Sequence, residues 1–585
     1  MLAPPSRSQT ICNLPRLGLA TLFSLLLIWY TTRGGDDSAW RKLGNQAQQH
    51  FGDSAWKDQK LPPGATIEHG GEAVPAAQPA IENIENIDDQ KQDTPTSSET
   101  ILEDSIPEHA TSEVTFDEPH AIREDAHKFS HADEFLPHFQ GVLKLPGIDF
   151  ETCNSTCTWP DLKKVNFQFP GEGEGWGGVN LSWTKTPYPQ AHLDSERARW
   201  QSHVQTGLMP WSEHSHRFSG RGIVIVGGKS IKKIVVVLRK LFLLRSQLPV
   251  EIHYWGYEMT DEKKKTLTDL MPTITFNDLS GEHNIFRSSY VAVPGKTNYQ
   301  LKTAAMINTR FAEPLLLDSD NIPILAPELL WNSTEYLEYG TIFWPDIART
   351  RPDNPIWSIT NTQCRMNEYE QESGQLLVDK RKFWYHLQLS AWMNAPSVDE
   401  KGEFKAESPY FSILLGDKDT FRFAWHALKT KYGKPSKFLT SVGTVAGPDK
   451  FYCGHSFLQY HPDGRPMFMH GGALKTMAKQ VMKWHREENG GVYQAYKKSD
   501  YEEQHEKAVN VRIGFDGRQY DFPGKETIDE GHVTFCTLLD DIEPKPLEEL
   551  VPGFEQDFDY IGGYWPLEEG QNGRDETAEL LCGIS

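Results

Sequence analysis

The stretch "GRGIVIVGGK" constrains the fold of this chain more than any other. Ile223 to Val226 form a four-residue apolar run closed by Gly227 and Gly228, the pattern of a buried strand that ends in a turn. An amphipathic segment of helix length follows, "KSIKKIVVVLRKLFLLRSQ", and then a second apolar strand in "PVEIHYWGY". Strand, helix and strand in that order imply a right-handed parallel βαβ unit, so the fold class expected is α/β.

The same logic locates a site. In "TNYQLKTAAMINTRF", Leu301, Ala304, Ala305, Ile307 and Phe311 recur at helical spacing and predict a helix packed on a sheet. The chain then runs through Leu315, Leu316 and Leu317, a strand apolar on both faces, and emerges at Asp318. Open α/β sheets bind ligands at the carboxyl ends of their strands. Residues i and i+2 of an extended segment point to one side, so Asp318 and Asp320 are expected to converge there on one ion.

The N-terminal quarter follows different physics. The 585 residues carry a net charge of −22, and Glu82 to Glu134 hold 16 acidic residues against three basic ones. Such a segment buries too little apolar surface to offset its ordering entropy and reads as a self-repelling tether. Upstream, Leu17 to Thr32 carry no charge and are flanked by Arg16 and Arg33. As a helix they span roughly 24 Å, close to the ~27 Å of the early secretory membrane. Arg7 and Arg16, with no acid before residue 36, favour a cytosolic N-terminus, and the poor cleavage site in "WYTTRGGDD" favours an uncleaved signal anchor. No basic patch interleaved with aromatics appears, which argues against a nucleic-acid partner. Six of the seven cysteines (Cys153, Cys157, Cys364, Cys453, Cys536, Cys582) would then face an oxidising lumen and are expected to form disulfides, in any of fifteen pairings. Sequons at Asn154, Asn180 and Asn332 are candidate glycosylation sites.

Two carboxylates at a strand end admit several readings. They can form a polar turn or hold a Mg²⁺ or Mn²⁺ ion against a nucleotide-sugar diphosphate; an aspartyl phosphohydrolase can use them as nucleophile and acid. An EF-hand fails, because Pro323 stands where its glycine is needed and Leu329 at its twelfth position. The blocks "YQLKTAAMI", "LLLDSDNIP", "FWPDI", "ESGQLLVDKRKFW", "GDKDTFRFA" and "FMHGGALK", spread over about 222–475, favour the transferase. Together they resemble the fungal Golgi α-mannosyltransferases of mannan and N-glycan outer chains. The resemblance implies a GT-A fold, a type II membrane protein of the Golgi apparatus, GDP-mannose as donor, a mannan or N-glycan acceptor, Mn²⁺ or Mg²⁺, and membership of a Golgi enzyme complex. α-1,2 linkage is expected, with α-1,3 as the alternative within the family.

On that resemblance Asp318, Asp320 and His470 are the expected metal ligands, with His455 and His461 as decoys, and Lys302, Asp318 and Lys475 the donor contacts. Glu372, Gln375 and Asp417 are the catalytic candidates. Glu372 would act as nucleophile or stabilise the transition state, and Asp417 would meet the acceptor hydroxyl unless it merely caps the helix that follows. Trp344, Trp384 and Tyr385 are candidates for stacking on sugar because they flank the matched blocks. The expected organisation is a tail (1–16), membrane anchor (17–32), acidic stem (33–140), pre-catalytic segment (141–215), GT-A catalytic domain (216–484) and a C-terminal extension of the catalytic domain (485–585).

Overall fold

In the computed structural model Ile223, Val224 and Ile225 are fully buried in strand β1 (Arg221–Val226). Branched side chains suit this position, since a pleated strand covered on both faces packs them without loss of rotamer freedom. Five further strands complete a mixed sheet. β2 (Val250–Tyr254), β3 (Thr275–Asp278), β4 (Glu313–Asp318), β6 (Thr341–Pro345) and β7 (Gln371–Val378) give the order β3-β2-β1-β4-β7-β6. β3, β2, β1 and β4 run parallel, as the βαβ pattern predicts. β7 is antiparallel to both β4 and β6.

The structure describes residues 126–155, 188–288, 300–347, 349–365, 368–398, 404–406, 408–414, 416–446, 450–472, 474, 477, 479–498, 513–515, 535–539 and 542–568. The chain divides into two compact units, Met1–Arg33 with Phe116–Ser585, and Gly34–Thr115; every described residue belongs to the first. The expected tail, membrane anchor and nearly all of the stem therefore lie outside the described residues. Among those described, no helix is long and apolar enough to cross a membrane.

Helices α1 (Phe135–Leu143) and α2 (Gln190–Thr206) precede β1; α3 (Ile231–Leu243) joins β1 to β2. α4 (Gln300–Asn308) leads into β4, and α5 (Lys380–Met393) follows β7. α6 (Lys418–Ala427) and α7 (Phe554–Tyr560) come later. α3 buries Ile234, Val237, Leu238 and Leu241, one stripe at helical period, against Ile223, Ile225, Leu315 and Leu317 on one sheet face. The opposite face, through Val224, Leu316, Leu376 and Val378, is covered by the Ala304–Ile307 stretch of α4 and by α5 and α6. Successive leucines of β4 thus enter opposite cores, and truncating Leu316 to Ala would cost about 2–5 kcal/mol.

Phe135 and Phe139 of α1 are buried in this second core, so folded chain begins ahead of residue 140. A second sheet is antiparallel: β10 (Thr440–Ala446), β11 (Phe451–Tyr460), β13 (Ala495–Lys497), β14 (Ile513–Phe515), β15 (Phe535–Thr537) and β16 (Lys545–Pro546), in the order β14-β15-β11-β10-β13-β16. β12 (Pro466–Gly471) pairs with β11 on one side and with β5 (Asn321–Pro323) on the other. A two-stranded ribbon, β8 (Ser397–Val398) and β9 (Phe404–Ala406), stands apart. Four strands of the second sheet come from beyond residue 484, so the C-terminal extension is built into the folded core. Cys453 of β11 is disulfide-bonded to Cys536 of β15, and Cys364 is also disulfide-bonded. The expectation of pairing fails for Cys153, which is a free thiol inside the core, where it donates to the Thr362 carbonyl.

Candidate active site

The two sheets meet where β4 ends. Asp318 is the last residue of β4, Ser319 and Asp320 form a turn, and Asn321 begins β5, which crosses to the other sheet. Asp318 and Asp320 therefore converge through a turn, where strand alternation was the expected means. β5 pairs with β12 so that Asn321 lies opposite His470. This register carries the imidazole, distant in sequence, to the aspartates. His470 Nε2 is 3.7 Å from Asp318 Oδ2 and 3.6 Å from Asp320 Oδ1. Potential ligand atoms of these three residues lie within 4.8 Å of one another, and they form the group of this kind found among the described residues.

β7 supplies the floor. Its pairing with β6 slips between Phe343, opposite Leu376, and Trp344, opposite Glu372. Ser373, Gly374 and Gln375 therefore bulge from that ladder, the kind of irregularity that re-aims side chains beside active sites. A side chain at Gly374 is impossible as things stand: its Cβ would sit 2.3 Å from His470 Cε1. Glu372 uses one oxygen to accept a hydrogen bond from the Gly374 amide at 2.7 Å, and its other oxygen lies 3.5 Å from His470 Nδ1. The imidazole thus faces the two aspartates with one nitrogen and a carboxylate with the other, the arrangement that orients metal-binding histidines. Asn321 Nδ2 donates to the Gly374 carbonyl at 2.8 Å and to Gln375 Oε1 at 2.5 Å, tying the Asp turn to the bulge.

Two further charged groups close the site. Lys302, from α4, donates to Asp318 Oδ2 at 3.0 Å and to Ser373 Oγ at 3.1 Å. Burial alone would discharge this ammonium, but Asp318, Asp417 and Glu372 outweigh it and raise its pKa. Asp417 precedes α6 and follows Gly416, whose φ of +133° is open to glycine and strained for other residues. The capping role fails, since the Asp417 side chain makes no cap hydrogen bond. It is buried, its Oδ2 has no hydrogen-bond partner among the described residues, and it interacts electrostatically with Lys302, Asp318 and Glu372. Burial raises its pKa, Lys302 opposes that, and the neighbouring carboxylates add to it. Asp419, by contrast, is spent on structure, its Oδ1 accepting from the Gln371 amide and from Arg422.

The structure therefore brings Lys302, Asp318, Asp320, Glu372, Asp417 and His470 together. Gln375 is fully buried in the sheet and bonded to Asn321, where it steadies the turn. Trp344, Trp384 and Tyr385 are buried core residues whose polar atoms bond to Tyr460, Met209 and Asp133, so none offers a face to a sugar. His455 is held between Ser456 and Val492, with burial lowering its pKa to about 4, and His461 pairs with Asp463. Both are structural, as expected. Lys475 and Asn180 lie outside the described residues, as does the side chain of Asn154; Asn332 is exposed. Gly374 and Asn321 were missed in the sequence. "ESGQ" and "DSDN" carry them in plain view, but only the meeting of two sheets gives them work.

A donor set of two carboxylates and an imidazole, with a glycine cradle that lets the imidazole in, fits a hard or borderline divalent cation such as Mn²⁺ or Mg²⁺.

Residues 220–363 and 354–461 match the family model described as "Mannosyltransferase putative"; together they cover less than half of the chain but include Asp318, Asp320, Glu372 and Asp417. Among curated proteins, the chain is 24% identical over 314 residues to alpha-1,2-mannosyltransferase MNN24 of Candida albicans, covering 44% of this chain and 41% of that one. It is 22% identical over 540 residues to alpha-1,2-mannosyltransferase MNN2 of the same organism, covering 79% and 85%. Alpha-1,3-mannosyltransferase MNT3 of Saccharomyces cerevisiae is 23% identical over 194 residues, covering 32% and 29%. For several of these relatives, MNN24 among them, the chain spans less than half of the relative's length. Solved structures found to be similar include the apo WbbM bifunctional glycosyltransferase, 12% identical with a TM-score of 0.25 over 35% of this chain and 37% of that one. The galactosyltransferase LgtC with donor and acceptor sugar analogues is 13% identical, with a TM-score of 0.23 over 34% and 70%. Neither is near enough to bear on the fold.

Proposed function

We propose that this chain, part of which matches that mannosyltransferase family model, transfers mannose from GDP-mannose to mannose residues of glycoprotein glycans or cell-wall mannan. The observation that carries the reading is the convergence of Asp318, Asp320 and His470 at the carboxyl end of β4, inside or beside the family-matched region. The proposed linkage is α-1,2, supported by the names of MNN24 and MNN2; α-1,3 is the second reading, supported by MNT3. An α-linked product from an α-linked donor means retention of configuration. A GT-A arrangement is supported by the four parallel strands flanked by helices and the acidic turn at their carboxyl ends. Golgi residence as a type II membrane protein rests on the apolar stretch 17–32 and the acidic stem.

Asp318, Asp320 and His470 would hold Mn²⁺ or Mg²⁺. Such an ion supplies Lewis-acid neutralisation of the charge that develops on the departing GDP. Lys302 adds a fixed positive charge beside Asp318, where a donor phosphate would arrive. Glu372 orients His470 and holds the bulge. Asp417 is the carboxylate suited to the acceptor. Its Oδ2 is uncommitted among the described residues, and its raised pKa makes it a stronger base for a hydroxyl proton than an ordinary aspartate.

The test is incubation of the purified full chain with GDP-mannose, Mn²⁺ and a panel of α-mannosides, followed by linkage analysis. Transfer with α-1,2 linkage is expected. Transfer from another nucleotide sugar only, or phosphoester hydrolysis with no sugar acceptor, would overturn the assignment.

A further inference from the structure

The blocks "FWPDI" and "GDKDTFRFA" meet beside the proposed active site. β4 and β6 are both antiparallel to β7, so they run the same way. Asp346, one residue past the carboxyl end of β6, therefore stands on the same sheet edge as Asp318 at the end of β4. The ammonium of Lys418, the first residue of α6, donates to Asp346 Oδ2 and, at 2.9 Å, to Glu370 Oε2. Glu370 immediately precedes β7, and its carbonyl accepts from the Asp346 amide at 2.7 Å. One lysine thus joins the end of β6, the start of β7 and the start of α6.

Lys418 directly follows Asp417, and Glu370 stands two residues before Glu372, whose charge reaches Asp346. Asp417 makes no cap hydrogen bond and its Oδ2 is uncommitted among the described residues, so the backbone on either side must hold its carboxylate in place. On one side is Gly416, the residue type with the greatest conformational freedom. Lys418 supplies the fixed side. The side chains of Lys418, Asp346 and Glu370 are 22%, 14% and 18% exposed, so their bridge escapes most of the solvent screening that weakens surface ion pairs. Burial alone would discharge the Lys418 ammonium, but Asp346, Glu370 and Asp419 outweigh it and hold its pKa well above the ordinary lysine value. Asp419 adds a second tie between α6 and β7, its Oδ1 accepting from the Gln371 amide at 3.0 Å.

We propose that Lys418 is a positioning residue for the transfer: by clamping the start of α6 to Asp346 and Glu370, it sets where Asp417 stands relative to Glu372 and the metal cluster. The proposal rests on the mannosyltransferase reading for the role of Asp417, and on the ion pairs for the clamp. Asp417 and Glu372 come from different elements, and the clamp gives them a common frame.

The test uses the full chain with GDP-mannose, Mn²⁺ and α-mannobiose, and the variants Lys418→Met, Lys418→Arg and Asp346→Asn. A shift of about 1 Å at a reacting group lowers a rate on the order of 100-fold, so Lys418→Met should lower kcat by about that factor while donor KM and half-saturating Mn²⁺ stay within about twofold. Lys418→Arg, which keeps the charge, and Asp346→Asn, which leaves Glu370 as a partner, should each lose less. In an Asp417→Asn background, Lys418→Met should lower kcat little further, because the clamp acts through Asp417; a role confined to stability would multiply the two losses. Hydrogen exchange gives a readout that needs no activity. The amides of residues 416–421 should exchange faster in Lys418→Met, with the turn at 318–320 unchanged. An unchanged kcat, multiplied losses in the double variant, or unchanged exchange around Asp417 would overturn the proposal. If the wild-type chain uses a different nucleotide sugar, the donor assignment falls, and the same double-variant comparison on that reaction decides the clamp.

Discussion

At Gly374 one hydrogen atom decides whether His470 can stand beside the aspartates. Gly374→Ala places a methyl group within 2.3 Å of the imidazole, so the ring must leave. A displacement of about 1 Å at a reacting centre costs on the order of 100-fold in rate, and that fall in kcat is expected with little change in melting temperature. The two carboxylates nearby should separate by their roles. Asp417→Asn should lower kcat by about 10²–10⁴ with donor KM nearly unchanged. Glu372→Gln should chiefly weaken metal binding, by about 10–100-fold, because it acts through His470. Equal kcat losses in both variants would remove the distinction. Asp318, Asp320, Lys302 and His470 were legible in the sequence because short blocks carry them and because a carboxylate pair after a buried strand has few explanations. Gln375 and the aromatic residues misled, because nearness in sequence to a matched block says nothing about which way a β-strand side chain points. Cys153 differs again, for the core that hides it also pushes its thiol pKa up to about 12, with the opposing charge of Lys429 too weak to reverse this. Peptide mapping after iodoacetamide at pH 8 should therefore find Cys153 unmodified in the native protein and modified after denaturation.

Among the elements, β4, β5, β7 and β12 do most to build the site, and β2 shows how the sheet is braced. On β2, Glu251 accepts hydrogen bonds from Thr309 Oγ1 at 2.6 Å and from the Arg310 amide at 3.2 Å, joining the strand to the segment that leads into β4. Burial by itself would raise its pKa, but His253, Thr309 and Arg310 together lower it to about 2. A carboxyl whose folded pKa is depressed adds stability above its unfolded value, near 4.5, and loses that contribution as pH falls towards 2. Acid denaturation should thus steepen between about pH 4.5 and 2, worth a few kcal/mol, and Glu251→Gln should flatten that region of the stability curve. The strand-helix-strand units of the parallel half could be read from apolar runs and helical spacing. The antiparallel β7, the bulge at Ser373–Gln375 and the β5–β12 pairing could not, since they depend on partners far away in the chain. That is why Asp318 and Asp320 were expected on one extended segment and are found around a turn.

In the described part of the molecule, the Asp turn stands between two sheets that each supply part of the site. The parallel half of the first sheet delivers Asp318, the antiparallel sheet delivers His470, and strands from the C-terminal extension complete the second sheet. Residues 126–143 likewise join the core, so the acidic tether ends sooner than its charge pattern suggested. The disulfide between Cys453 and Cys536 closes 83 residues of chain around this assembly. Chain entropy puts its contribution at about 4–5 kcal/mol, and Cys453→Ser with Cys536→Ser should lower thermal stability accordingly. The central claim is that Asp318, Asp320 and His470 hold the divalent ion that serves the donor diphosphate. The most direct test is the Mn²⁺ dependence of mannose transfer from GDP-mannose by the full chain, compared with Asp320→Asn and His470→Ala. Transfer should require the ion, with the half-saturating Mn²⁺ concentration raised at least about tenfold in either variant. Transfer that proceeds without divalent metal, or a Mn²⁺ requirement that neither substitution alters, would contradict it.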